Sequence, residues 1–165
     1  MIAALPGAGA LLLVAAGAAK VADPTRTAGA LAAIGWPSSP VLVRLGAAVE
    51  LALGTTMIVI GGPALAMLVA ASFLGFAVFV LIALRSRTPI GTCGCFGRAD
   101  TPPRPSHIIV VVALAAAATV GAVADAPALA EASWAAWAIA ALIAATAYAT
   151  LTRDGGRTPQ LRELR

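Results

Sequence analysis

The chain has 165 residues, 61% of them hydrophobic and only 11% charged, with a mean hydropathy of +0.96. A water-soluble domain carries roughly a quarter charged residues, so an aqueous globular fold is excluded. The net charge of +4 does not make a nucleic-acid surface, because the arginines sit where apolar runs end and no basic face interleaves with aromatics.

Five apolar runs are long enough to cross a hydrocarbon core, which takes about 17–25 residues. They fall at 2–19, 41–60, 63–84, 107–124 and 132–151. The expected fold is an all-α membrane protein: a four-helix transmembrane bundle with a fifth, C-terminal transmembrane helix. Residues 1–151 form a single helical domain in this reading, and 152–165 a mobile basic tail.

The first run lacks the Lys or Arg that a secretory signal carries ahead of its apolar stretch, and is read as a retained span. Its Ala-rich composition, with Gly7 and Gly17 here and Gly46, Gly54 and Gly75 further on, predicts close helix–helix approach. In lipid, small residues rather than apolar bulk allow backbones to pack. Between the first two spans, Asp23 is placed to cap a helix with Pro24 at its first position and Gly35 at its end. That short helix reads as interfacial, with Trp36 as its anchor.

The second run carries Glu50 about ten residues in, hence about 15 Å deep. Gly46 and Gly54 share its face at helical spacing. An ionisable group at such depth is a functional candidate by default. It can relay a proton, bind a polar head group, pair with Lys20 or Arg44, or brace the bundle as a protonated carboxyl. The turn Gly61-Gly62-Pro63 then leads into the third run. The fourth follows a stiff lead-in, Thr101 to Pro105, with Ser106 placed to cap it.

Between the third and fourth runs lies Thr92-Cys93-Gly94-Cys95-Phe96-Gly97. It contains both cysteines, too few for a disulfide framework. Cysteines at i and i+2 hold their Cα atoms near the upper end of the bridging range, about 4.4–6.8 Å, and Gly94 supplies the freedom to close the ring. A bond so strained belongs to the labile, catalytic or regulatory kind. Arg85, Arg87 and Arg98 favour the thiolate and so raise its reactivity. The plain alternative is two inert packing cysteines. His107, the only histidine, would make a third soft or borderline ligand, but the spacing fits no strong metal pattern and a structural zinc site takes four ligands. No metal is expected.

All 11 Lys and Arg fall on one side of a five-span arrangement. The positive-inside rule therefore predicts the N-terminus outside, and the cysteine loop and C-terminus cytoplasmic, in a plasma membrane of bacterial type.

Three strings, Gly17 to Pro24, Glu50 to Gly54 and Cys93 to Gly97, resemble the methylamine-utilisation protein MauE family, a relative of the DoxX-like membrane proteins. The likeness covers the first four spans, and Cys-Gly-Cys-Phe-Gly is its most specific part. The resemblance implies a four-helix core and a role in redox maturation. The family's work is processing the disulfide-rich small subunit of methylamine dehydrogenase beside a thioredoxin-like partner. By position, Cys93 and Cys95 would be the redox pair, with Gly94, Phe96, Gly97, Glu50 and Arg98 supporting.

The expected function is thus a membrane thiol–disulfide redox protein. With no second thiol pair, a thioredoxin-like protein or a quinone must complete its circuit. Glu50, Trp36, Phe73, Phe76 and Phe79 are candidates to border a quinone pocket, although Phe at helical spacing is commonly plain packing. The competing expectation is a non-enzymatic accessory or assembly subunit of a membrane complex, or a dithiol that hands on a metal.

Overall fold

The structure, a computed structural model, describes residues 1–86 and 102–152. All the regular structure among them is helical: α1 (Ala4–Ala22), α2 (Thr25–Ala33), α3 (Pro40–Val59), α4 (Pro63–Arg85), α5 (Pro105–Val123), a single 3-10 turn (Leu129–Glu131) and α6 (Trp134–Thr152). Five of these helices, all but α2, are long and apolar enough to cross a membrane. At 1.5 Å per residue, 19 to 23 residues cover about 30 Å, the thickness of a bilayer core.

Local chemistry explains the helix boundaries. α3, α4 and α5 each begin on a proline, where the missing N–H costs nothing and φ is already helical. Arg104, not Ser106, is the residue before the fourth span's helix, and no side chain caps it; Pro105 takes the first position and carries Ser106 into the first turn. α2 closes in a Schellman motif: Trp36 N–H donates to Leu31 O and Gly35 N–H to Ala32 O, with Gly35 at φ +77°. Glycine adopts that conformation without steric penalty. At the other end of α2, the Asp23 carboxylate accepts from the backbone N–H and hydroxyl of Thr25, the bond expected of an N-cap two residues upstream.

α1 is the hub of the bundle. Eleven of its 19 residues are buried, against four of 20 in α3, and it packs against α3, α4, α5 and α6. Small residues make this possible. A methyl group on Gly17 would lie 2.8 Å from Ala47 O, and one on Gly54 would lie 2.7 Å from Ala10 O. These two crossings fix α1 and α3 antiparallel and in backbone contact. The main core gathers Leu13, Met57, Val69, Phe73, Leu114 and Ala118 from four helices. Outward-facing hydroxyls are satisfied within their own helices: Thr55 donates to Leu51 O, Thr146 to Leu142 O and Thr150 to Thr146 O. Hydrocarbon offers them no other partner.

The two ends of the bundle differ. At one, Pro6 lies against Gly121, Gly7 against Leu129 and Gly61 against Ala128, a tight seam of short turns. At the other, α2 folds back over the bundle through Ala30, which packs with Phe79 and Val80 of α4 and with Ile108 of α5. α4 ends and α5 begins at this second end, so Ser86 and Pro102, which flank residues 87–101, both lie there.

Candidate functional site

α3 and α4 are joined by a short turn yet touch far less than the pairs α1–α3 and α4–α5. Towards the α2 end they part, and the gap becomes a cavity of about 650 Å³. The floor is polar. Lys20 of α1 and Glu50 of α3 meet there, Nζ to Oε2, at 2.5 Å. α2 and the following turn form the lid, through Thr27, Leu31, Trp36 and Pro37. The side walls are Leu42, Val43 and Gly46 of α3 and Ser72, Gly75, Phe76 and Phe79 of α4.

The helix register accounts for this pair. Since Gly17 faces Ala47 and Leu51, Lys20 leaves α1 about level with Gly46. Its side chain must then run inward by a further turn, about 6 Å, to reach Glu50. The usual behaviour of a lysine near a helix end is the reverse, snorkelling out to the interface. Inward direction leaves Lys20 only 4% exposed, and its ammonium also sits 4.7 Å from the centroid of the Phe76 ring. Glu50 Oε2 is buried, and its partner is the Lys20 ammonium. An unpaired ion at this depth costs at least about 2.5 kcal/mol, so each of these groups requires the other.

Several expectations meet their outcome here. Of the partners considered for Glu50, Lys20 is the one in contact, while the Arg44 Nε donates instead to Val21 O at 3.4 Å. Lys20 therefore belongs inside the bundle and not among the membrane-flanking charges. Trp36, Phe76 and Phe79 do line the cavity, and Trp36 meets Phe79 edge to face with centroids 6.4 Å apart. Phe73 does not: it is buried in the main core, where a methyl group on Gly9 would lie 2.9 Å from its ring. Gly46 and Gly54 share a face only loosely, for Gly54 is pressed on α1 while Gly46 opens on the cavity. His107 is buried, at 2% exposure.

Cys93, Gly94, Cys95, Phe96, Gly97 and Arg98 lie outside the described residues. Among the described residues no cluster of three or more His, Cys, Asp or Glu side chains is arranged to hold a metal ion. Ser72 and Gly75 join the wall without having been expected there. Ser72, Gly75, Phe76 and Phe79 stand at i, i+3, i+4 and i+7, one stripe of a helix, and that spacing was the available signal.

Residues 1–124 match a family model described as "Methylamine utilisation protein MauE". No curated protein and no solved structure matches the chain.

Proposed function

The chain belongs to the MauE family, whose model spans α1 to α5, and from that membership we propose that this multi-pass membrane protein is an accessory factor for redox maturation, with Cys93 and Cys95 as its exchangeable pair. In this reading the Cys93 thiolate attacks a disulfide of a thioredoxin-like partner and forms a mixed disulfide. Cys95 then displaces the partner's second sulfur, leaving a Cys93–Cys95 disulfide and a reduced partner. One disulfide is broken for each one formed, two electrons move, and the reverse exchange restores the dithiol. The family's name suggests a client within methylamine utilisation.

One observation carries the proposal beyond family membership. The helix ends on either side of the cysteine segment, Arg85 of α4 and Pro105 of α5, stand at the α2 end of the bundle, where the Lys20–Glu50 cavity also lies. A bundle held only by packing has no need of a buried ion pair beside an open cavity there. Thiol trapping in membranes tests the reading: an alkylating polyethylene glycol reagent should separate oxidised and reduced forms, and Cys95→Ser should accumulate a mixed disulfide through Cys93. If the pair never changes state, and Cys93→Ser with Cys95→Ser leaves client maturation intact, the protein is a non-redox assembly subunit.

A further inference from the structure

We propose that the cavity between α3 and α4 binds the head group of a lipid-soluble quinone, hydrogen-bonded to Lys20 and admitted sideways from the bilayer. The route is open on the membrane face. Leu42, Gly46, Gly75 and Val78 form its rim, all exposed on the surface of two membrane-spanning helices. A methyl group built on Gly46 or Gly75 meets nothing within 4 Å. The volume, about 650 Å³, falls in the range of small-molecule sites, about 300–1,000 Å³. It holds a ring head and the first part of an isoprenoid tail.

The polarity selects the ligand. An ammonium carries three N–H donors; one is directed at Glu50 and another faces the Phe76 ring, which among the described residues leaves one for a ligand. The pair is neutral overall, so a phosphate head group would enter without a compensating charge and at high desolvation cost. A quinone carbonyl is an uncharged acceptor and fits that remaining donor. Trp36, Phe76 and Phe79 supply ring surfaces for a flat head group. Ser72 spends its own proton on Leu68 O, so its oxygen is free to accept from a quinol hydroxyl.

The site's physiological sense rests on the dithiol reading. When the exchange runs in reverse, a reduced thioredoxin-like partner returns Cys93 and Cys95 to the dithiol and is itself oxidised; reclosing that dithiol releases two electrons and two protons, and these convert one quinone to one quinol. Binding itself does not require the cysteines, and this separates the two proposals experimentally. The test uses the full chain in liposomes, with Trp134→Phe and Trp137→Phe so that Trp36 is the one tryptophan left, excited at its red edge and titrated with decylubiquinone. Saturable quenching is expected. It should weaken at least tenfold in Gly46→Leu and in Gly75→Leu, which fill space that is open in the fold, and stay unchanged in Gly29→Leu, where the space is equally open but outside the cavity. Non-saturating quenching, equal quenching in all three glycine variants, or displacement of decylubiquinone by equimolar phosphatidylglycerol overturns the assignment. Quenching should persist in Cys93→Ser with Cys95→Ser. A protein that binds decylubiquinone but never cycles its thiols keeps this site and loses the dithiol reading.

Discussion

The Lys20–Glu50 pair concentrates the chemistry of the described residues in two side chains. Breaking a buried ion pair by removing one partner leaves an uncompensated charge and costs about 3–5 kcal/mol, whereas replacing both by apolar groups of similar size is often nearly neutral. Glu50→Gln and Lys20→Met should therefore each lower the thermal midpoint in detergent by about 6–20 °C, at roughly 2–4 °C per kcal/mol for a chain of this length. Lys20→Met with Glu50→Leu should recover most of that loss. Additive losses in the double variant would mean the two groups do not depend on each other. A smaller effect is expected at Asp125, which holds φ +48° while Ala126 N–H donates to Gly121 O. That is the C′ position of a Schellman motif, which glycine occupies without strain. Asp125→Gly should stabilise by about 0.5–1 kcal/mol, and a β-branched Asp125→Val should destabilise; a scanning-calorimetry comparison of the two decides it. Sequence alone singled out Glu50, because a carboxylate ten residues into an apolar run is conspicuous. It left four fates for that carboxylate open, because the choice between Lys20 and Arg44 depends on helix register, which composition does not encode.

At the scale of elements, the glycines sort into two classes that residue identity cannot separate. Gly17 and Gly54 are pressed against backbone, Gly46 and Gly75 face open space. Alanine at Gly17 or Gly54 must push α1 and α3 apart against neighbouring main chain, an overpacking cost of about 1–3 kcal/mol. Alanine at Gly46 meets nothing and removes a poor helix former, a gain of up to about 1 kcal/mol. The signs are opposite, so denaturation midpoints of three single variants are enough; a loss at Gly46 equal to that at Gly17 would refute the register of α1 on α3. The stripe of small residues in the sequence was sufficient to expect a tight bundle. Which glycine meets which helix was hidden, since the hydrophobicity of these spans is nearly uniform around their circumference and no polar face marks the inside. The short helix α2 was legible for the opposite reason. Asp23, Pro24 and Gly35 are strong local signals, and local signals survive without tertiary context.

For the whole molecule, the asymmetry between the two ends has a topological consequence. The seam end carries short turns with Asp125 and Glu131, while the α2 end carries Arg26, Arg44, Arg85 and Arg104. Moving Lys20 from the flank into the bundle removes one charge from the count, and the arginines alone still favour the α2 end. Insertion keeps Lys and Arg in short loops on the cytoplasmic side, so the N-terminus is expected outside and the cysteine segment inside. Membrane dithiols that serve protein disulfides are, by contrast, expected to face an oxidising compartment. The two arguments point to opposite sides, and the charges carry more weight because they act on insertion itself. An impermeant maleimide should label Cys93 and Cys95 in inverted bacterial membrane vesicles and not in intact spheroplasts. Adding arginines to the Gly61–Gly62 turn should weaken that preference, since it places positive charge on the bare end. Labelling from the spheroplast side alone would reverse the orientation and put the exchanging partner outside the cell.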